Sequence, residues 1–369
     1  FSAEVLYRDP DFEAENLIPA FIATTSAYCV FSLAFGFDSL FIVPQVEFDD
    51  PRLLLLLLPL SVLAVVMALG SLVYVKCLYG VRDLFCRLAV PKHFKPMIGA
   101  LLTGLVAVLL YSAMSRWGKE SGEDALSVLS FGYGFLQKVL NLSVVDNAAT
   151  IALVLVAVGL GKILTTSLTI GSGGSGGVFG PSMVVGGSLG ALVGLAFAKW
   201  TPGIVKPDHV VIFTILGMAS FFGAAANTPV STLIMVSEMT SSYTLLLPSM
   251  WVCALAYLLS RSWTLYEKQV AARVDSPAHR GDFIIDVLEG LSVKDSLRQA
   301  HREFVTVPLS MPLSQITKLI TETRQISFPV VDNSGKYYGL FGINNVRQFL
   351  YDSGLAELAV AQDLAATAS

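Results

Sequence analysis

What most constrains this chain is a series of long apolar stretches almost free of charge: Leu53 to Leu69, Pro96 to Met114, Ala148 to Ile163, Met183 to Phe197 and Met250 to Leu259. At about 1.5 Å of rise per residue, roughly 20 apolar residues cross the ~30 Å hydrocarbon core of a bilayer. A surface helix of a soluble domain would instead alternate an apolar stripe with a polar face. The stretches therefore read as membrane helices, and the composition agrees: 54% of the 369 residues are hydrophobic and 14% charged, with a mean hydropathy of +0.67. The fold class expected is an α-helical membrane protein.

A composition break near Glu267 to Asp282 separates this part from a region of charged residues, short strands and amphipathic helices. We place a membrane domain at residues 1–272 and a soluble region at 273–369. Glu15 to Phe35 and Pro51 to Tyr79 are helix candidates; the segment between them carries Asp38, Glu47, Asp49 and Asp50, and the one that follows carries Lys76, Arg82, Arg87, Lys92 and Lys95. By the positive-inside rule the basic connection is cytoplasmic, and so is the soluble region, which follows Lys268, Arg273 and Arg280. The protein should be a multi-pass protein of the plasma or inner membrane. The chain opens at Phe1 without a signal-peptide pattern, and we expect it to begin inside an element.

Three apolar segments, Val210 to Phe222, Pro229 to Val236 and Tyr243 to Ala254, are short or interrupted by glycine and proline. Broken helices at membrane depth are tolerated where they line a polar cavity, so they point to an ion or substrate path near the midplane. A net charge of -4 without a dense basic patch argues against a nucleic-acid partner. Cys29, Cys77, Cys86 and Cys253 lie in or beside apolar segments at no metal-like spacing and read as buried reduced thiols, while His93, His209, His279 and His301 are scattered. No nucleophile, base or metal set is visible at membrane depth, so neither an enzymatic activity nor a cofactor for the membrane part is expected.

Between two apolar runs stands Gly171-Ser172-Gly173-Gly174-Ser175-Gly176-Gly177-Val178-Phe179-Gly180-Pro181-Ser182-Met183. A glycine-rich turn exposes consecutive backbone N–H groups, and Pro181 suits the first turn of a following helix. The free N–H groups and positive dipole end of such a helix hold an anion without a full countercharge. A flexible linker with close helix packing is the alternative. A nucleotide-binding loop would need flanking βαβ units or a Gly-Lys-Ser/Thr ending, and neither is present.

Here the sequence resembles the ClC family of chloride channels and chloride/proton antiporters, whose signature Gly-x-Phe-x-Pro stands as Gly177-Val178-Phe179-Gly180-Pro181. Gly223 to Pro229, Glu238-Met239-Thr240, Tyr243 to Pro248 and Leu265-Tyr266 resemble the family's later segments in order and spacing. The resemblance implies the second half of an inverted-repeat fold, chloride or a similar small anion as substrate, a lipid bilayer around it and a homodimer. It implies that the amides of Val178 and Phe179 coordinate the anion, and that the Tyr266 hydroxyl donates to it; without the resemblance, Tyr266 would read as an interfacial aromatic. Glu238, in an apolar run, is either a buried paired carboxylate or part of an ion path, and we expect the former.

Two departures follow. The family's first-half signatures, which supply a serine and a gating glutamate, are absent, so the chain is not expected to conduct alone. Phe1-Ser2-Ala3-Glu4-Val5 resembles the segment that carries two successive glutamates in proton-coupled members, and the second, proton-relaying position is Val5 here. Valine cannot titrate, which favours a channel or differently coupled transport over proton exchange.

The tail resembles one CBS repeat over about residues 285–352: strand Val305 to Pro308, helix Leu313 to Thr323, strand Ser327 to Val331, turn Asp332 to Lys336, strand Tyr337 to Ile343 and closing helix Asn344 to Tyr351. Leu358 to Ala366 resembles the lead into a second repeat, beginning after residue 356 and cut short. Paired repeats bind adenine nucleotides through a Ser/Thr and an Asp at positions occupied here by Asn344 and Asn345. We expect a regulatory or dimerising module, with an adenine nucleotide as the alternative ligand. A membrane-anchored ligand sensor is the reading from a different class, although an anchor needs neither chopped helices nor a glycine-rich turn.

Overall fold

The computed structural model describes residues 2–7, 14–37, 39–44, 53–141, 148–272, 275–276, 304–323, 325–350 and 359–367. The chain divides into two compact units, Phe1–Arg280 and Gly281–Ser369.

The first unit is helical: α1 (Ser2–Leu6), α2 (Ala14–Phe35), α3 (Leu53–Arg87), α4 (Lys95–Met114), α5 (Lys119–Ala125), α6 (Tyr133–Leu140), α7 (Ala148–Gly171), α8 (Phe179–Trp200), α9 (His209–Ala226), α10 (Pro229–Thr240) and α11 (Leu246–Ser260). Among the described residues, seven helical stretches are long and apolar enough to cross a membrane. α9 is the axis of the unit, with every residue from His209 to Ala226 buried. α3, α7, α8, α10 and α11 pack about it or about one another. Phe213, Phe221 and Phe222 of α9 share a core with Leu60, Met67 and Tyr74 of α3, Met183 and Val185 of α8, and Val252 and Ala256 of α11.

α8 lies against α9 with almost no side chain between them. A Cβ on Gly190 would meet the Phe213 carbonyl, and one on Gly186 the Gly217 carbonyl. Small residues on both faces let the backbones approach, which is how membrane helices gain packing when lipid removes the hydrophobic drive between them. Larger polar side chains tie α3 to the far end of the unit: Trp251 and Trp263 donate their indole N–H to Ser61 and Ser71, each at 3.1 Å.

Two expectations need correction. Val210 to Phe222 is no half-helix, since α9 runs unbroken for 18 residues, about 27 Å at 1.5 Å per residue. Its apolar run continues through Ala224, Ala225 and Ala226, and it stops at Asn227, whose φ of 58° is the left-handed conformation that asparagine tolerates. Of the three segments, α10 with 12 residues stays well short of a span. The second correction concerns α3, which continues through Arg87. Lys76, Arg82 and Arg87 thus lie on its last turns, and the Lys95 ammonium donates to the Phe85 carbonyl at its C-terminal end at 2.6 Å.

The second unit is a small α/β domain in which a four-stranded sheet of order β1-β2-β3-β4 packs with short helices. β1 (Val307–Pro308) runs parallel to β2 (Ser327–Val331), α12 (Leu313–Glu322) lies between them in sequence, and β3 (Tyr337–Gly342) returns antiparallel to β2. Phe328 pairs with Phe341 across the ladder, and their rings stack 5.5 Å apart. α13 (Ile343–Leu350) follows β3, while α14 (Ala361–Leu364) and β4 (Ala366–Thr367) close the sheet on the β3 edge. The tail's last described segment therefore completes this sheet, with Ala359, Ala361 and Leu364 in its core.

Candidate functional site

The glycine-rich segment ends α7 and starts α8. Gly173 has φ of 92°, the Gly174 N–H bonds to the Thr169 carbonyl and the Gly173 N–H to that of Ile170, both at 3.0 Å. This pattern turns the chain out of a helix through a left-handed glycine. The chain then enters α8 at Val178 without a side-chain cap. The Ser182 N–H already bonds to the Val178 carbonyl at 3.0 Å, and proline has no N–H. The first-turn donors left for a ligand are therefore those at Val178, Phe179 and Gly180. A cavity of about 240 Å³ opens beside this turn, lined by Thr165, Thr166, Thr169, Gly176, Gly177 and Pro181 among others.

Tyr266 stands in irregular chain beyond α11. Its hydroxyl titrates above the ordinary tyrosine range, because burial and then the nearby Tyr79 disfavour the phenolate. It is consequently a protonated donor at neutral pH. The last turn of α9 ties Tyr266 to the start of α8: the Phe222 ring meets the Phe179 ring edge-on at 5.1 Å, and the Ala225 carbonyl accepts the Leu265 N–H at 2.7 Å. Val178, Phe179 and Tyr266 all pack on the same buried cluster.

Val5 and Tyr266 line a second cavity, of about 330 Å³, together with Leu6, Tyr79, Arg82, Glu267, Lys268 and Gln269. The neighbouring carboxylate, Glu4, is committed elsewhere. It is buried, and its two oxygens accept the N–H groups of Val230 at 3.2 Å and Ser231 at 2.7 Å. It serves as the anionic cap of α10, which has no side-chain cap of its own. Gln269 donates to the Glu4 carbonyl at 2.7 Å, and Val270 to that of Leu6 at 3.1 Å, fixing α1 beside the Tyr266 segment.

Sequence reasoning passed over Lys162. It sits in α7, almost wholly buried, and its ammonium donates to the carbonyls of Ser127 at 3.1 Å and Val128 at 3.3 Å and to that of Ser130. A lone lysine in an otherwise apolar run is the signal that could have found it. Glu238 is exposed on α10 instead of buried, and Cys29 and Cys86 are exposed where buried thiols were expected. In the second unit Asn344 and Asn345 are exposed at the start of α13, and the Asn345 side-chain oxygen already accepts the Gly342 N–H at 3.2 Å.

Residues 1–261 match the family described as voltage gated chloride channel, and residues 293–352 match the CBS domain. The chain is similar to the chloride channel protein CLC-e of Arabidopsis thaliana, at 23% identity with 89% of this chain and 49% of that protein aligned. It is also similar to the H(+)/Cl(-) exchange transporter ClcA of Vibrio cholerae, at 28% identity over 62% of this chain and 44% of that one. The crystal structure of a CLC-type fluoride/proton antiporter shares the fold, with a TM-score of 0.56 and 23% identity over 74% of this chain and 60% of that chain. The chain spans about half the length of the curated relatives it matches.

Proposed function

Because this chain belongs to the voltage gated chloride channel family and carries a CBS domain in its C-terminal region, we propose that this integral membrane protein moves chloride, or a similar small anion, through a ClC-type pathway. The observation that carries the reading is the shared anchorage of the α8 N-terminus and Tyr266 on the last turn of α9, through Phe222 and Ala225. The N–H groups at Val178 and Phe179 and the Tyr266 hydroxyl are the anion's donors. None carries a full charge, so binding is favourable enough for entry and weak enough for release. In this reading Gly177, Gly180 and Pro181 shape the approach, and a bare turn before the helix lets the ion reach backbone.

Val5 supports movement uncoupled from protons at this position, because a valine in the Tyr266 cavity cannot pass a proton on. The CBS region acts as a cytoplasmic module that joins or regulates copies of the protein in a homodimer, with Asn344 and Asn345 the positions that would face an adenine nucleotide. The test is chloride flux in liposomes reconstituted with the full-length protein, with luminal pH recorded while a chloride gradient is imposed. Chloride flux without proton movement is expected. Protons driven against their gradient would sink the uncoupled reading, and absence of any small-anion flux would sink transport. Tyr266→Phe should weaken chloride binding by roughly tenfold, the worth of one hydrogen bond to a charged partner, with the fold kept.

A further inference from the structure

Tyr266 is not held by a helix, so something else must set where its hydroxyl lies. Its own N–H reaches only to the Thr264 hydroxyl, at 3.2 Å. The restraint comes from α3. The Tyr79 hydroxyl donates to the Leu265 carbonyl at 2.6 Å and accepts the Glu267 N–H at 3.2 Å. A single phenol thus grips the backbone immediately before and immediately after Tyr266. One turn along α3, Arg82 lies over the Tyr79 ring, 4.4 Å from its centroid, and donates to the Glu267 carboxylate at 2.8 Å. The circuit closes on itself: the Tyr79 hydroxyl holds residue 267, the side chain of residue 267 holds Arg82, and Arg82 covers Tyr79. Tyr79, Arg82, Tyr266 and Glu267 all line the same cavity of about 330 Å³.

From this geometry we infer that Tyr79 is a positioning residue for the Tyr266 hydroxyl, and that Arg82 and Glu267 lock it, so that the anion affinity and selectivity of the pathway are set in part from α3. The inference rests on the anion-binding role given to Tyr266 under the proposed function. A helix-to-loop tie that only added stability would need one hydrogen bond anywhere along the segment. Two bonds that bracket one residue instead fix the direction in which that residue projects, and a polar contact that positions a ligand donor is sensitive to small displacements.

The experiment is a double-mutant cycle in liposomes reconstituted with the full-length protein. Half-saturating chloride, maximal flux and the chloride-to-nitrate permeability ratio are measured for wild type, Tyr79→Phe, Tyr266→Phe and the double variant. Tyr79→Phe keeps the ring under Arg82 and removes both hydrogen bonds. We expect it to shift half-saturating chloride and the permeability ratio in the direction of Tyr266→Phe, by roughly three- to tenfold, and the double variant to be no worse than Tyr266→Phe alone. A Tyr79→Phe protein with a lowered melting midpoint but wild-type half-saturation and selectivity, or shifts that simply add, would overturn the inference and leave the role of Tyr266 standing. If Tyr266→Phe itself changes nothing, the anion role and the positioning role fall together. Should Tyr79→Phe not be recovered folded, Arg82→Lys keeps the question open to refutation. It preserves the positive charge but loses the planar cover over Tyr79, so a smaller shift in the same direction, about twofold, is expected, and no shift would overturn the inference.

Discussion

The α8–α9 contact and the Tyr266 segment hold backbone in place by opposite means. Along α8 and α9 the side chains have been removed: Gly186, Gly190 and Gly217 bring two helices together until each lies against the other's carbonyls. Around Tyr266 there is no regular structure, and position is enforced by polar side chains, Tyr79 reaching in from α3 and Gln269 reaching out to the Glu4 carbonyl of α1. Close packing tolerates no added atom but needs no specific partner. A side-chain clamp tolerates neighbouring changes but fails when its one hydroxyl or carboxylate is lost. The anion donors of the proposed function lie where the two regimes meet, with the α8 N-terminus in the first and Tyr266 in the second.

The strongest way to break this contrast is Gly190→Leu. The new side chain would start against the Phe213 carbonyl, which cannot move without unwinding α9. Overpacking of this kind costs about 3 kcal/mol or more, and we expect little monodisperse protein in detergent and a collapsed melting midpoint. A well-folded Gly190→Leu protein would show that α8 and α9 are not in fact closely fitted. Next in size is Glu4→Ala, which strips α10 of both acceptors for the Val230 and Ser231 N–H groups. Loss of a buried charged cap costs roughly 1–3 kcal/mol, so the melting midpoint should fall by a few degrees while the protein still folds. A larger loss for Glu4→Ala than for Gly190→Leu would reverse the ranking of the two regimes.

The same contrast explains what could be read from the sequence. Helices of the first regime announce themselves, because apolar runs and glycines are local signals, and the boundaries of α2, α4 and α8 are close to those expected. The continuity of α9 was missed because Gly217 and Gly223 look like breaks in a list of letters, whereas in the packed helix Gly217 lies close against the Gly186 carbonyl of α8. The second regime is not local. Glu4 caps α10 through an N–H that lies 226 positions later, at Val230, and Tyr79 brackets a residue 187 positions on. No periodicity links such pairs. The glycine-rich turn up to Pro181 stood out from its own residues and the resemblance brought Tyr266 to attention, but the residues that hold Tyr266 in place became visible only when α3 was folded beside it. In the second unit β2, the turn and β3 are neighbours in sequence, and they lie where the resemblance to a CBS repeat put them.

The smallest expected effect tests whether side-chain clamping in the second unit obeys the same electrostatics. Asp332 closes the turn between β2 and β3: one carboxylate oxygen accepts the Ser334 hydroxyl at 2.6 Å, the Ser334 N–H at 2.8 Å and the Lys336 N–H at 2.9 Å. These bonds favour the ionised form, the Ser334 hydroxyl first, and hold its pKa below the ordinary aspartate value near 3.8. A group whose folded pKa lies below its unfolded one binds protons more readily in the unfolded chain. Its contribution is therefore whole above the unfolded pKa, and it is lost as pH falls through the folded value. Hydrogen-exchange protection at the Ser334 and Lys336 amides should accordingly exceed that of Asp332→Asn by a constant margin from pH 7 to about pH 5. The margin should shrink below about pH 4, because the wild-type carboxyl then protonates while the amide of the variant does not titrate. The partly exposed side chain keeps the margin small, since water competes for these donors. A margin that stayed constant down to pH 2 would mean that the turn is held by the glycine at 335, with its φ of 78°, and that Asp332 merely sits beside it.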